Sequence, residues 1–288
     1  MFDRQIFLNS ALLSGKNRTY AGILLLHLCP IVAIIIGSES SDWLVFAGMW
    51  PVLAVASTLG LHRYFSHKAF KTSRAFQAFM GLGAALSFGD PIGFAGKHRL
   101  HHKFSDQEKD VHSPNQGLWQ CWIGNLVDYG YSDAEARSYA KDLCRFPELV
   151  WLHEHKRIPG MVLALVFFFF GGFTMMAIGY ALVVVSIIHL AGAVNYFCHR
   201  VGSRRYETKD HSTNNWFVAI FSLGEGWHNN HHRYQASARA GFYWWEIDVL
   251  YWLVCVLEWM GLVWDVRRPP YSVYRVESNT EGLELGIR

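Results

Sequence analysis

The lysine and arginine residues of this 288-residue chain leave two long stretches without positive charge. None of the 26 lies between Arg18 and Arg63, and none lies between Arg157 and Arg200. Both stretches are largely apolar, and about 20 apolar residues are enough for a helix to cross about 30 Å of hydrocarbon. Charged residues make up only 17% of the chain, below the usual quarter. The sequence therefore predicts an all-α integral membrane protein.

The apolar stretches divide into four predicted transmembrane helices. The 37-residue tract from Met161 to Phe197 is too long for one span, and its glycines favour a tight turn near 171–180. The predicted spans are about 20–37, 43–61, 161–174 and 175–197. The whole chain, 1–288, is predicted to be one membrane domain, in which residues 62–160 and 198–270 form a helical cap and the tail after Pro270 is loosely ordered.

The positions of the charges also predict which way the chain crosses the membrane. Positive residues concentrate in cytoplasmic segments, so the turns at 37–42 and 171–180, which carry no positive charge, should face outward. Both termini and the cap should then lie on the cytoplasmic side, as in a bacterial inner membrane. The N-terminal segment lacks the order of a signal peptide, so the first apolar run should be retained as a helix. Residues 76–94 predict a half-buried or interfacial helix, because a crossing there would separate the histidine motifs described below.

Composition excludes two classes of function. The net charge of +3 is too small to indicate nucleic-acid binding. The five cysteines form no CxxC pair, which argues against a disulfide framework or a structural zinc site and favours a reducing compartment.

Eight of the fifteen histidines fall in three short motifs. These are HRYFSH with His62 and His67, HRLHH with His98, His101 and His102, and HNNHH with His228, His231 and His232. Residues three and four apart share a helix face, so HRLHH and HNNHH are each predicted to present three imidazoles along one side. His62 and His67, five apart, would point to different sides of a regular helix, which a frayed end or a pair of metals would accommodate.

Imidazole is the commonest metal ligand, and eight exceed the requirement of one ion, about four to six. The set therefore predicts two ions. Neutral ligands leave the charge of two divalent ions largely uncompensated, which favours a strongly oxidising centre. Among the other histidines, His27 and His189 are expected to pack between helices, and His153 and His155 to be solvated. His211 is expected to be structural.

The order of the motifs resembles the membrane fatty-acid desaturases, notably the delta-9 acyl-CoA and acyl-lipid branch, from about Trp43 to about Val266. The matching segments are HRYFSH, DPIGFAGKHRLHHKFSDQEKDVHSP, VNYFCH and GEGWHNNHH. The resemblance implies a ninth ligand, His199, and a contribution through water from Asn195. It also places His112 and Asp110 near the site, where a carboxylate such as Asp110, Asp106 or Glu225 would orient metal-bound histidines.

The resemblance further implies the chemistry. Two iron ions and dioxygen would introduce a cis double bond, at delta-9, into a long acyl chain held in a bent tunnel. Each buried CH₂ contributes about 0.8 kcal/mol to such binding, and Phe65, Phe94, Tyr196 and Trp227 are candidate walls. Zinc usually outcompetes ferrous iron at nitrogen ligands, so purified protein is expected to carry some zinc. With no nucleotide, haem or ferredoxin motif, the chain requires an external electron donor such as a ferredoxin or cytochrome b5.

The substrate carrier stays open between CoA, acyl carrier protein and a membrane lipid. Animal-type enzymes have Arg-Asp where this chain has Gly96 and Lys97. Lys97, Arg99 and Lys103 are candidate contacts for a head-group phosphate, or ordinary charges near lipid head groups. One alternative is a sister reaction on acyl chains: hydroxylation, acetylenic bond formation or oxidative decarboxylation. A second is a non-enzymatic membrane protein that binds or transports metal.

Overall fold

The computed structural model describes residues 15–110, 112–127 and 130–274. The predictions for the extreme N-terminus and for the last residues of the tail lie outside this part. The helices, in chain order, are α1 (Gly15–Ile36), α2 (Ser40–Val55), α3 (Arg74–Leu86), α4 (Pro91–Phe104), α5 (Leu118–Trp122), α6 (Asp133–Tyr139), α7 (Pro147–Glu154), α8 (Ile158–Met176), α9 (Leu182–Phe197), α10 (Trp216–Phe221), α11 (His228–Arg233) and α12 (Val249–Trp259).

Shorter elements connect these helices. A π-helical segment, Ala56–Ser66, continues α2, and a second, Ala177–Ala181, joins α8 to α9. Two strands, β1 (Lys71–Thr72) and β2 (Val263–Trp264), pair antiparallel with Lys71 opposite Trp264. Single 3₁₀ turns cover Pro114–Gln116, Gly124–Leu126 and Tyr271–Tyr274. The described chain is thus mostly helical, as the composition predicts.

Three apolar helical segments in the described part are long enough to cross a membrane. They are Gly15–Ile36, Ser40–Ser66 and the 40-residue segment Ile158–Phe197. The pair α3 and α4 passes the same test only if taken together, and its two helices meet at 85°.

The segment Ile158–Phe197 reverses direction within its length. Gly172 has φ +72° and ψ −166°, a conformation that glycine adopts without steric cost. The Tyr180 hydroxyl lies so close to Gly160 that an added Cβ would be 2.6 Å from it. On a straight helix, residues that far apart in sequence would be separated by about 30 Å. The predicted turn is therefore confirmed, at the start of the 171–180 interval.

Residues 76–94 form parts of two helices, so the single helix predicted there is wrong. Asp90 caps the second helix, because its Oδ1 accepts a hydrogen bond from the Gly93 N–H at 3.0 Å. Pro91 occupies the first helical position, where its missing N–H costs nothing. The sharp bend turns α4 back toward the HRYFSH motif, so that His98 lies beside His67. The expectation that this segment keeps the two motifs together is confirmed.

The largest apolar core lies next to the first histidine motif. It joins the π-helical segment to α3, α4, α7 and α12 through Phe65, Ala84, Ile92, Leu149 and Leu250, all fully buried. Burying a side chain such as Phe65 contributes about 1.5–3 kcal/mol. Because Phe65 lies between His62 and His67 in sequence, this packing fixes the backbone that carries both.

Candidate metal centre

Nine histidines that are distant in sequence converge in the structure. They form two sets in which the candidate ligand nitrogens all lie within 4.8 Å of one another. The five-histidine group contains His62, His67, His98, His102 and His231, and the four-histidine group contains His101, His199, His228 and His232. The groups adjoin, because the ring centroids of His102 and His232 are 4.5 Å apart. All nine sequence-predicted histidines are therefore brought together.

The π-helical segment explains how His62 and His67 reach the same group. A π-helix bonds residue i+5 to residue i, and the His67 N–H donates to the His62 carbonyl at 3.2 Å. The two ring centroids are 4.9 Å apart. Neither the frayed helix end nor the pair of metals suggested by the spacing is needed to account for this motif. Such segments are frequent at functional sites.

The other two motifs each divide between the groups, so the prediction of three imidazoles along one side is wrong. Residues i+3 and i+4 follow each other in sequence, so their side chains point in directions about 100° apart around the helix axis. In α4 the pair His98 and His102 faces one group, while His101 faces the other. In α11 the pair His228 and His232 faces the four-histidine group, while His231 faces the five-histidine group. The HxxHH spacing thus serves two neighbouring sites at once.

The four-histidine group lacks the hydrogens to satisfy its own nitrogens. His199 and His232 contact Asp106 and Asp210 through Nδ1, at 2.9 and 2.7 Å. Each Nδ1 must carry the hydrogen to make these bonds, so each Nε2 presents a lone pair. Both lone pairs face His228 Nε2, at 3.1 and 3.0 Å, and one N–H can satisfy only one of them. A cation among these three nitrogens would remove the mismatch, so the residues fit a metal ion.

The five-histidine group shows the same inward-facing arrangement. His98 Nε2 lies 2.8 Å from His67 Nε2 and 2.9 Å from His102 Nε2. His231 Nε2 lies 3.1 Å from His62 Nε2 and 3.0 Å from His102 Nε2. Five nitrogens of one chemical type therefore face a common centre, as a metal ion that prefers imidazole requires.

Burial favours the neutral imidazoles that metal coordination needs. Desolvation, reinforced by repulsion between neighbouring rings, holds the pKa of His67, His98, His102, His228 and His231 well below its ordinary value. A neutral ring keeps one nitrogen lone pair available for coordination. These five side chains are accordingly ready to bind a cation at physiological pH.

Carboxylates hold the outward-facing nitrogen of four of these histidines. The pairs are Glu225 with His62, Asp110 with His101, Asp106 with His199 and Asp210 with His232. Such a partner fixes the tautomer of a metal-binding histidine and makes its other ring nitrogen a stronger electron-pair donor to the metal. The suggested roles of Asp106, Asp110 and Glu225 are therefore confirmed as contacts. Asp210 was missed, because it belongs to no histidine motif, and only its place beside His211 marked it.

These contacts keep the carboxylates ionised. Burial raises the pKa of Asp106, but the hydrogen bonds from His199, from the His211 backbone N–H and from Ser113 outweigh it and lower the value to about 2. Burial is likewise outweighed at Glu225, where His62 and Arg63 lower the pKa to about 2. The carboxylates therefore accept hydrogen bonds at any pH near neutrality.

Arg63 links the five-histidine group to the protein core. Its Nε lies 2.9 Å from Glu225, and its two terminal nitrogens lie 3.1 and 2.9 Å from Asp248. The side chain is only 3% exposed. Arg63 therefore fixes the carboxylate that in turn holds His62.

Two of the three candidate head-group contacts, Arg99 and Lys97, are engaged inside the protein, and this corrects the prediction for them. All five donors of Arg99 are used, by Asp142 and by the carbonyls of Phe65, Ser66 and Tyr139. Arg99 thus joins elements of the cap and has no donor left for a phosphate. A different arrangement removes Lys97 from the surface.

Lys97 is buried, with its ammonium 3.2 Å from the Asn125 side-chain oxygen. Burial lowers the pKa of Lys97 to about 8. At the preceding position, an added Cβ on Gly96 would lie 2.4 Å from the Ala136 carbonyl oxygen. Helix α6 therefore occupies the space that an arginine side chain would need, which agrees with the departure from the animal-type pattern.

Several other predictions can be compared with the structure. His153 is buried, with Nδ1 2.7 Å from Asp90 and Nε2 2.6 Å from Asp133, so the expectation of a solvated side chain is wrong. The segment around His153 is polar and charged, so its sequence did not indicate that this side chain is buried. His27 and His189 contact each other at 3.1 Å between α1 and α9, as expected.

The remaining residues near the site are placed as follows. Asn195 is half-buried in the last turn of α9. Its side chain makes no hydrogen bond to another described residue, so its role through water stays a prediction. The Phe94 ring stacks on His98 with centroids 5.7 Å apart. His112 is buried beside His101, with ring centroids 5.3 Å apart.

Comparisons with known proteins cover most of the chain. The sequence model of the family described as Fatty acid desaturase matches residues 41–254. An acyl-CoA C20 Delta5-desaturase of Anemone leveillei is 38% identical over 85% of this chain and 79% of its own length. An sn-1 stearoyl-lipid 9-desaturase of Anabaena variabilis is 36% identical over 76% and 80%. A hex-5-enoyl-[acyl-carrier protein] acetylenase of Moorena producens (strain JHB) is 34% identical over 87% and 82%.

Proposed function

Because this chain belongs to the fatty acid desaturase family, we propose that it introduces a cis double bond into a long acyl chain with dioxygen and a di-iron centre. The convergence of nine imidazoles in two adjoining groups is the observation that carries this proposal. Hydrogen removal from an unactivated methylene needs a strong oxidant, which acid–base side chains cannot supply. A pair of histidine-ligated iron ions beside the acyl chain would activate dioxygen for that purpose.

The side chains have distinct roles in this proposal. His62, His67, His98, His102 and His231 hold one ion. The other is held by His101, His199, His228 and His232, with Asn195 contributing through water. The carboxylates behind four of the rings fix which nitrogen faces the metal.

The stoichiometry of desaturation requires an electron donor. Removing two hydrogens from adjacent methylenes yields two electrons, whereas reducing dioxygen to two waters consumes four. The other two electrons and two protons must come from outside the acyl chain, and we propose a ferredoxin or cytochrome b5. Lys209 and Arg233 are exposed beside Asp210 and His232, on a route by which a donor could approach the four-histidine group.

Reversing these charges is expected to weaken the donor interaction. In a Lys209→Glu, Arg233→Glu variant, the KM for an acidic donor should rise several-fold at low salt, because long-range attraction steers association. The effect should shrink as ionic strength approaches about 1 M, where the screening length falls to about 3 Å. Steady-state turnover with purified donor at several salt concentrations measures both. A Lys71→Glu variant, exposed near β2, is the matched control, and an equal effect there would argue against this docking site.

We place the metal centre and both termini on the cytoplasmic side, in a bacterial inner membrane. The proposal rests on the absence of lysine and arginine from 19–62 and 158–199, together with the positive-inside rule. The four apolar helices are α1, α2 with its π-helical continuation, and the two helical parts of Ile158–Phe197 on either side of Gly171 and Gly172. The remaining helices form the cap that carries most of the metal ligands.

The substrate is a fatty-acyl chain, and we propose delta-9 as the position of the new bond. The relative named a stearoyl-lipid 9-desaturase supports this position, while the other two names describe delta-5 or acetylenic products on different carriers. The carrier is proposed to be CoA, acyl carrier protein or a lipid. Lys97 and Arg99 are not included in the head-group site, because both are engaged internally.

Lipid analysis in a desaturase-deficient host tests the proposal. Expression is expected to yield a monounsaturated acyl chain with a cis bond at delta-9, located by mass spectrometry of derivatised lipids. Separating the acyl-CoA, acyl carrier protein and lipid pools at early times identifies the carrier that is labelled first. Absence of any unsaturated product, in a host that supplies a working donor, would contradict the desaturase assignment.

Acetylenic bond formation is the second candidate, and it is favoured by the 34% identity to the acetylenase. Both reactions remove two hydrogens from adjacent carbons, so the same site would serve either. Feeding a chain that already has a cis bond discriminates them. A triple bond formed from that chain would establish the acetylenase, whereas a new double bond formed in a saturated chain supports the desaturase.

A further inference from the structure

The two histidine groups differ in how their outward-facing nitrogens are held. Three of the four rings in the four-histidine group contact a carboxylate through Nδ1: His101 at 2.9 Å, His199 at 2.9 Å and His232 at 2.7 Å. In the five-histidine group, only His62 has such a partner among the residues that the structure describes, and it is Glu225. The smaller group is therefore made of the stronger donors, since a carboxylate on Nδ1 raises the basicity of Nε2.

The negative charge around the two groups also differs, and it is greater around the four-histidine group. Glu225 shares its charge with Arg63, whose Nε is 2.9 Å away. Among the described residues, Asp106, Asp110 and Asp210 form ion pairs only with histidines, and no lysine or arginine lies within ion-pair distance of them. The four-histidine group thus has three uncompensated carboxylates behind its ligands.

Burial adds a third difference. All four members of the four-histidine group are buried, whereas His67, His98 and His102 of the five-histidine group are only half-buried. Water and small chelators therefore reach the larger group more easily. Opposite charges also attract more strongly where water is excluded, which favours a cation in the buried group.

Taking these three differences together, we propose that the four-histidine group binds its divalent ion first and more tightly, and that the five-histidine group is the exchangeable site. The number of ligands alone would predict tighter metal binding by the five-histidine group, and the proposal is the reverse. It rests on the proposed function only in requiring that both groups bind a metal ion. The aspartates act as positioning residues that set the order of loading.

Stepwise metal binding tests this order without any measurement of turnover. Metal-free protein in detergent is titrated anaerobically with Co²⁺, and bound Co²⁺ is followed by its visible absorption in competition with a chelator of known affinity. Two steps are expected, with the first dissociation constant at least about 10-fold smaller. Asp210→Asn should weaken the first step by about 10- to 100-fold and leave the second nearly unchanged.

Ligand variants assign the steps independently. His199→Ala should remove the tight step, and His67→Ala should remove the weak one. Asp265→Asn, an exposed carboxylate paired with Lys71, is the control and should change neither. Folding of each variant is checked by its elution as a single species in size-exclusion chromatography.

The possible outcomes separate the two proposals. Two equal Co²⁺ affinities, or loss of the weak step in Asp210→Asn and His199→Ala, would overturn the loading order while leaving a two-metal centre in place. Failure of the wild-type protein to bind any Co²⁺ would overturn the metal-dependent function itself. Weakening of the tight step in Asp210→Asn and its loss in His199→Ala, together with loss of the weak step in His67→Ala, supports the order.

Discussion

Replacing His101 with alanine is expected to lower product formation by more than about 100-fold, because changes to outer partners alone typically cost about 10- to 100-fold at metal sites. The substitution removes an inward-facing nitrogen from the four-histidine group and leaves Asp110 without its imidazole partner. His231→Ala should have a similar effect, since His231 contacts both His62 and His102 in the five-histidine group. Metal content by mass spectrometry and acyl products from the same preparation measure the two consequences together.

A histidine of the same region that belongs to neither group provides the control. The His211 side chain is 67% exposed, and its backbone N–H, which donates to Asp106 at 2.7 Å, survives substitution. His211→Ala should therefore keep near-normal metal content and turnover. If His101→Ala or His231→Ala kept full turnover and two metal ions, the assignment of these residues as ligands would be wrong. Because zinc outcompetes ferrous iron at nitrogen ligands, the proposed di-iron function predicts that zinc-containing wild-type protein is inactive until it is loaded with iron.

The positions of the histidines could be predicted from local sequence, but their division into two groups could not. Motif spacing identified eight candidate ligands, and the resemblance added His199 as a ninth. Spacing alone also suggested that each HxxHH motif faces one site, since it describes a single helix and says nothing of what lies on either side. Tertiary contacts decide the division, because His98 and His102 meet His67 whereas His101 meets His199.

The conformation of the HRYFSH motif was beyond local rules for a different reason. A π-helix is rare and is intrinsically less favourable than an α-helix, so no propensity predicts one over Ala56–Ser66. Tertiary contacts stabilise it here, because Phe65 is buried in the largest core and Arg63 in its ion-pair network. The spacing of five between His62 and His67 was the one available indication, since it matches the i to i+5 bond of such a helix.

The apolar helices were predictable because the membrane imposes a simple constraint on composition. Stretches without lysine or arginine marked them, and the glycines marked the reversal at Gly172. The burial of His153 was not predictable, since its partners Asp90 and Asp133 lie 63 and 20 residues away in sequence. The internal contacts of Lys97 and Arg99 were unpredictable for the same reason, since Asn125 and Asp142 lie 28 and 43 residues away in sequence. Polar contacts between distant segments leave no periodic pattern in the sequence.

Replacing Arg63 with leucine is expected to have the largest effect on stability. The guanidinium lies between Glu225 and Asp248, which are 7% and 2% exposed in their side chains. Removing one member of a buried ion-pair network typically costs about 3–5 kcal/mol, because the partner charges stay buried without compensation. Asp248 also caps α12 by accepting from the Tyr251 N–H at 3.0 Å. The melting temperature of the detergent-solubilised protein, followed by loss of the monodisperse species, measures the effect.

Three further variants separate the buried charge from the rest of the side chain. Arg63→Lys keeps the charge but loses the fork that reaches both carboxylates, so its stability should be intermediate. Arg74→Leu removes an exposed arginine that also contacts a carboxylate twice, at 2.8 Å, and should change the melting temperature little. Adding Glu225→Gln to Arg63→Leu should restore part of the loss, because one of the two unpaired charges is then removed. Equal melting temperatures for Arg63→Leu and Arg74→Leu would show that the buried network contributes no more than a surface pair, and the account of how His62 is held would then fail.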